Sequence, residues 1–526
     1  MIRIARLVIL SAIFGALSFG DISQANIWVN TSAGGSPSRS GSLVAYDASH
    51  AYGSMQAALT AAQAGDLIGV KNGTYGSQSI TSGGKASAVS FYAETSSSVL
   101  VGGLTVNVDY VNTYGIIATG TGNSQGSLSL SGNHLIIDGF KGGRVAMGWS
   151  PHTASNRESY VTIQNSELCG NMDTALMSGE NDCIEIGYID YLTFKHNYIH
   201  DYYNHSGSND TTYHNDLISF IFDGGAYDAT FTGNTFVNWP NGGSAIQSSG
   251  PQRNLVLENN YFGGQAGGGQ CGNNVVYEVG TCAGALTVRN NVFTNACGAM
   301  VNTIDCSAPS PIDVSSNISI SPSTYAFCVN PVGTATGGYN AFANAGAGNN
   351  CGSNNRTCTP TWLNGTPSSA NNWDIRLAST DTCAIGHGNP SSYAATDMYG
   401  TTRPQGAVAD AGAYEYASGS ATIPVITSPL TINPATRGSA YSYSFAATGS
   451  PTPTWTATGV PTGLTLFSGG SLTGTPTVFG TFSMHVTATN SAGSDADDFS
   501  ITIGAGVPIV GIKGSKIQGA RLPGPQ

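Results

Sequence analysis

Between Tyr160 and Asn317 one short pattern returns six times: YVTIQNS (160–166), YLTFKHN (191–197), DATFTGN (228–234), NLVLENN (254–260), ALTVRNN (285–291) and PIDVSSN (311–317). In each copy apolar and polar residues alternate, the period-2 signature of a strand with one buried face. In the last five an asparagine (Asn197, Asn234, Asn260, Asn291, Asn317) closes the segment five residues after its first apolar position, and Ser166 fills that slot in the first. Copies are 26 to 37 residues apart, too far for hairpins. A strand unit repeated at that interval cannot bury its own edges, so the spacing predicts a solenoid in which neighbouring units stack.

Two further strand groups accompany each copy. One precedes it: Glu180–Ile186, His214–Phe220 and Gly242–Ser248. The other follows the asparagine at once, as in Tyr198–His200 and Thr235–Val237. Three strands per coil are therefore expected, with one tight turn at the asparagine and longer loops elsewhere. Aligning the preceding group on Ile184, Ile218 and Ile246 predicts its register. It stacks Glu180 on His214, Asp182 on Asp216, and Glu185 on Ser219 and Gln247.

Composition supports an elongated all-β chain. At 526 residues it is too long for one compact core. Charged residues make up only 9% while Gly numbers 70, which suits strands and turns rather than helices. The net charge of −12 argues against nucleic acid, which asks for a basic stripe. At the N-terminus Arg3 and Arg6, the apolar run Leu7–Phe19 and Ser23-Gln24-Ala25 read as a signal peptide over residues 1–25. The other reading, a membrane anchor, needs a longer apolar run. Secretion, no membrane span after cleavage and a monomeric chain are expected. Ten cysteines between Cys169 and Cys383 fit export and disulfides, and sequential pairing would bracket one loop per pair, as for Cys169 with Cys183. Spacing alone does not fix the connectivity.

Residues 26–75 hold an amphipathic helix candidate, Ser54–Ala62, followed by Gly65–Val70 and Gly73–Tyr75. This segment resembles the opening of secreted β-helix proteins, where such a helix covers the open end of the solenoid. Three strands per coil with asparagine turns resemble the right-handed parallel β-helix of pectate-lyase-like proteins, over about residues 50–416. The asparagine slots match that family's ladder, in which each side chain bonds its copy in the next coil. Thr382–Gly388, Thr396–Gly400, Arg403–Gly406 and Asp410–Tyr416 resemble the closing segment of secreted bacterial β-helices, which makes Asp397, Arg403, Asp410 and Glu415 structural. The expected order is a β-helix over 26–416, a linker over 417–422, a β-sandwich over 423–504 and a disordered tail over 505–526. Pro461–Leu466, Leu472–Pro476 and Val486–Gly493 resemble the Ig- or cadherin-like modules of bacterial surface proteins, here without a cysteine pair.

In the fold this resembles, a groove runs along the strand group that precedes the asparagine strands. There the chain gathers Glu180, Asp182, Glu185, His214 and Asp216, with His200, Asp201, His205 and Asp210 close by in sequence. Carboxylates stacked at coil spacing, ~4.8 Å, cannot both stay ionised cheaply. They share a proton, as in glycoside hydrolysis, or hold a cation. A calcium ion on Asp182, Asp216, Glu180 and Glu185 would suit a polysaccharide lyase by neutralising a uronate carboxylate. Alternatively Asp182 and Asp216 cap strand starts by accepting backbone amides. The catalytic set read here is His214 or Arg253 as base with Asp216, and His200, Gln247 and Arg144 as substrate ligands. Arg157 and Lys195 are further basic choices, and Arg289 with Glu258 reads as a solvated ladder pair.

The leading expectation is a secreted lyase cleaving a uronate polysaccharide, pectate- or alginate-like, by calcium-assisted β-elimination. A β-helix glycoside hydrolase and a non-catalytic surface or adhesion protein that binds carbohydrate are the alternatives.

Overall fold

The computed structural model describes residues 22, 24–32, 36–95, 98–119, 127–148, 152–153, 155–170, 182–200, 216–220, 225–237, 244–248, 254–263, 274–278, 284–294, 301–302, 311–320, 328–329, 335–343, 352–367, 374–416, 422–450, 453–490 and 493–505. The chain divides into two units, residues 1–417 and 418–526. The first is a parallel β-helix and the second an antiparallel Ig-like sandwich.

Three long parallel sheets run through the first unit. The thirteen-stranded sheet carries the repeats met first in the sequence, among them Glu158–Gln164, Ile189–Lys195, Thr230–Thr232, Leu255–Glu258, Leu286–Arg289 and Ile312–Ser315. The ten-stranded sheet holds the preceding group, including Val145–Met147, Ile184–Ile186, Ile218–Phe220 and Ser244–Ser248. The eight-stranded sheet holds the strands after the asparagine turn, such as Tyr198–His200, Thr235–Val237 and Tyr261–Gly263. Ile184 pairs with Ile218 and Ile218 with Ile246, the register read from the sequence.

Alternation points Val161, Ile163, Leu192, Phe194, Phe231 and Leu257 into one continuous core. Phe236, Phe262 and Phe293 stack inside it, with ring centroids 4.7 and 5.0 Å apart. The short helix Met55–Ala61 starts at Ser54, whose side chain accepts the Ala57 amide, and it buries Met55, Ala58 and Leu59 in the same core.

The asparagine column is a ladder of hydrogen bonds. Asn234 donates from its backbone N and from Nδ2 to Oδ1 of Asn260, at 2.9 and 3.0 Å, and from Nδ2 to the Phe194 carbonyl. Asn197, Asn260, Asn291 and Asn317 repeat that arrangement. Two rungs beyond the sequence pattern, Asn340 and Asn355, extend it. The left-handed residue stands one place earlier, as in His196, Asn259, Asn290, Ser316, Tyr339 and Asn354. The turn and the ladder therefore use different residues.

Residues 358–367 and 374–416 form a strap that lies against the outside of the eight-stranded sheet. Tyr198, Val237, Tyr261, Val292, Ile318 and Ala341 face outward there and pack with Trp362, Ile375, Leu377, Met398, Ala411 and Ala413. Asn259 donates to the Thr396 carbonyl, Asn290 accepts from the Ala394 amide, and Ser316 accepts from the Asn389 amide. The strap thus reads the left-handed residue of three successive turns. Among the described residues two disulfides fall on sequential pairs, Cys169–Cys183 and Cys358–Cys383. Among the described residues no helix is long and apolar enough to cross a membrane.

In the second unit Gly480–Asn490 and Gly493–Gly504 form a long hairpin, flanked by Thr454–Thr458 and Ala435–Thr436. Phe445, Trp455, Leu472, Met484, Val486, Phe499 and Ile501 form its core.

Candidate functional site

The outward row of the ten-stranded sheet runs Ala146, Glu185, Ser219, Gln247, each in register with the next. The row is built by short strands whose flanking residues, such as Ile184 and Ile186, point into the core. Arg144 stands just before its strand. Only Gly142-Gly143 separate it from Lys141, which bridges Glu167 beside the eight-stranded sheet. The Arg144 guanidinium Nη2 pairs with Oε1 of Glu185 in the next coil. A guanidinium, a carboxylate, a hydroxyl and an amide therefore line one face over consecutive coils.

The two aspartates are engaged with the backbone. Oδ1 of Asp182 accepts the Asp216 amide at 2.8 Å, and Oδ1 of Asp216 accepts the Ser244 amide. This is a second ladder, in which each carboxylate caps the strand start of the next coil, and it is the capping alternative weighed from the sequence. Glu180, His214 and Arg253, together with Asp201, His205 and Asp210, lie outside the described residues.

His200 belongs to a different sheet. It is buried on the eight-stranded sheet, stacked on Tyr198, with Nε2 3.3 Å from Oε1 of Glu167. Glu167 also accepts from Lys141 at 2.8 Å, and the two partners hold its carboxyl below the usual range against the opposing pull of burial. The structure thus groups Arg144, Glu185 and Gln247 on one face and places His200 beside Lys141 and Glu167 on another.

A calcium ion asks for six to eight oxygen ligands. Of the four carboxylates nominated, Glu185 is neutralised by Arg144, while Asp182 and Asp216 each lend an oxygen to a backbone amide. Among the described residues no group of three or more His, Cys, Asp or Glu side chains is arranged to hold a metal. Held by Arg144 and by backbone amides, the described donors do not by themselves make a calcium shell.

One titratable group escaped the sequence reading. Glu158 opens its strand in register with Ile189, itself in register with Ala226, so it occupies an otherwise apolar inward column. Its Oε2 accepts the Gly148 amide at 2.6 Å, and its Oε1 is buried without a partner among the described residues. Burial pushes its pKa up to about 8. The folded state therefore holds this proton more tightly than the unfolded chain, and stability falls as pH rises from the ordinary value of 4.5 through about 8. Glu158→Gln should flatten that slope and raise stability at pH 8 by on the order of 2 kcal/mol, read by urea unfolding between pH 5 and 9. An unchanged slope in the variant would assign the pH dependence elsewhere.

Against known proteins, residues 423–504 match the family described as "Putative Ig domain". The second unit is an Ig-like domain. Solved structures similar to part of the chain include a putative alpha-galactosidase from Bacteroides fragilis NCTC 9343, 28% identical with a TM-score of 0.15, covering 15% of this chain and 17% of that one. A putative alpha-galactosidase/melibiase from the same organism is 26% identical with the same TM-score and coverage. Titin domain M7 is 28% identical with a TM-score of 0.14, covering 16% of this chain and 97% of that one. The chain spans about one sixth of the length of the two galactosidase chains. No curated protein matches.

Proposed function

We propose that this protein is a secreted carbohydrate-active β-helix that grips a uronate polysaccharide along the outward row of the ten-stranded sheet and cleaves it by β-elimination. The observation that carries the reading is the Arg144–Glu185 pair in line with Ser219 and Gln247. A sugar carboxylate would exchange for Glu185 on the Arg144 fork, a geometry suited to carboxylates. That contact withdraws charge from the uronate and makes the proton beside it more acidic. A base then takes the proton, and the electron pair of the broken C–H bond forms the new carbon–carbon double bond. The glycosidic oxygen leaves with the pair of its C–O bond and takes up a proton from water. His214 and Arg253 are the candidate bases, with Asp216 close to His214 in the chain as its candidate catalytic partner. Gln247 and Ser219 would bond sugar hydroxyls. The Ig-like domain and the disulfides are compatible with an extracellular location.

The test is absorbance of the unsaturated product on polygalacturonate and alginate, with and without chelator. Arg144→Ala should lower kcat/KM about a hundredfold, and chelator should leave the rate unchanged. Activity abolished by chelator would restore the calcium reading on Asp182, Asp216, Glu180 and Glu185. A second reading, carbohydrate binding without cleavage, draws on the engagement of Asp182 and Asp216 in backbone bonds. Retention on uronate resin with no absorbance and no new reducing ends would favour it, and new reducing ends without absorbance would favour a hydrolase.

A further inference from the structure

The residue that opens the sequence repeat lies on the thirteen-stranded sheet, just before the strand at Tyr110 and His134 and at a left-handed kink within Glu158–Gln164 and Ile189–Lys195 at Tyr160 and Tyr191. Four consecutive coils place an aromatic ring there: Tyr110, His134, Tyr160 and Tyr191. Ring centroids are 4.5, 4.8 and 4.7 Å apart, with interplanar angles of 15°, 24° and 9°. All four residues have left-handed backbones, with φ of 61°, 59°, 59° and 56°. That conformation suits glycine or asparagine and disfavours bulky side chains. The next two coils use Asp228 and Asn254 at the same conformation, with φ of 56° in both. Asn254 bonds Asp228 at 2.7 Å, so the turn itself does not require an aromatic residue. Nor does the core use these rings, since Tyr160 and Tyr191 are 50% and 49% exposed.

One residue upstream runs a polar row: Asp109, Asn133, Ser159 and Asp190. Asn133 donates to Asp109, Ser159 donates to Asn133, and Asp190 pairs with Arg157 at 2.6 Å. We propose that this aromatic strip with its polar row is a second carbohydrate-binding site, which takes a neutral polysaccharide. The rings offer apolar edges and phenol hydroxyls, and Tyr191 ends the stack beside the short Asp228. Sugar C–H groups pack along those exposed ring edges while the neighbouring acceptors take sugar hydroxyls. Charge selects the neutral polymer. The row is acidic at Asp109 and Asp190, and its arginine is already paired with Asp190, so this strip would repel a polyanion. The strip spans about 14 Å at coil spacing, which suits an extended chain rather than a single ring. The site differs in face and in ligand from the uronate row and goes beyond that reading.

The test is co-sedimentation of the full chain with microcrystalline cellulose and with insoluble xylan, with soluble polygalacturonate as competitor. The wild type should bind at least one neutral polymer, and polygalacturonate should not displace it. Tyr160→Asn with Tyr191→Asn, which keeps a residue suited to the left-handed turn, should weaken binding about tenfold. The same variant should unfold no earlier than wild type and leave any uronate cleavage unchanged. Absence of wild-type binding to both neutral polymers, or undiminished binding by the double variant, would overturn the proposal. Displacement by polygalacturonate would do the same by assigning the binding to the uronate row. Failure of the strip and failure of the lyase reading are thus read in separate assays.

Discussion

Asn260→Ala should destabilise the β-helix unit by on the order of 5 kcal/mol. Oδ1 of Asn260 accepts both the backbone N–H and the Nδ2 of Asn234, and its own Nδ2 donates to the Phe231 carbonyl and to Asn291. All of these groups are buried beyond the reach of water. Truncation leaves two donors of Asn234 and the Phe231 carbonyl, all on one coil, without these partners and strips Asn291 Oδ1 on the next coil of one of its two donors, and each orphan costs about 1–3 kcal/mol. Asn260→Asp should not rescue the loss, because a carboxylate has no hydrogens for the Phe231 carbonyl. Asn355, the last rung, is partly open to solvent, so water can replace it and Asn355→Ala should cost only about 1 kcal/mol. Chemical unfolding of the two alanine variants side by side checks the contrast. Equal losses would show that the ladder acts through local turn geometry and not through burial.

That contrast also explains what the sequence made legible. Periodicity alone fixes which residues face inward, so the strands around Ile184, Ile218 and Ile246 could be aligned from their alternation. A ladder asparagine announces itself by recurring at one slot. The role of Asp182 and Asp216 was not legible to the same degree. Their spacing matches, but whether a carboxylate faces solvent or accepts the next coil's amide depends on how the chain turns before the strand. Both choices are open in the sequence, and the structure puts an amide on each. Glu158 was missed because only its alignment with Ile189 and Ala226 shows an acid in an apolar column. Tyr160 and Tyr191 were visible as the first letters of two repeats, yet a strand pattern says nothing of the left-handed kink that interrupts the pairing at each of them within its strand. Arg144 and Glu185 come together only because one coil passes from sheet to sheet through Gly142-Gly143 without a long loop.

The strap over the eight-stranded sheet depends on one buried ion pair, and Glu415→Ala should release it at a cost of about 3–5 kcal/mol. Arg403 is 0% and Glu415 1% exposed along their side chains, with Nη1 and Oε2 2.9 Å apart. Arg403 also donates to the carbonyls of Asp410 and Gly412 and to Oδ1 of Asn259. Glu415 in turn accepts the amides of Gln405 and Asp410. One carboxylate thus folds the strap on itself, while the guanidinium it neutralises fastens the strap to the Asn259 turn. Burial already pulls Arg403 below the usual arginine range, and Glu415 is the first counterweight. Removing the carboxylate takes the ion-pair partner from a buried cation and leaves only the Asp397 and Asp410 charges to offset its desolvation, a larger loss than deleting both charges. Arg403→Met with Glu415→Leu should therefore recover part of the stability that Glu415→Ala loses, although Asn259 would still lack its donor. The measurement is thermal unfolding together with limited proteolysis of residues 358–416. In Glu415→Ala the strap should be cut at temperatures where the ladder coils stay protected, because the strap's outer core around Tyr261 and Trp362 is separate from the inner core. Simultaneous loss of strap and coils would instead mean that the outer core is needed to hold the eight-stranded sheet in place.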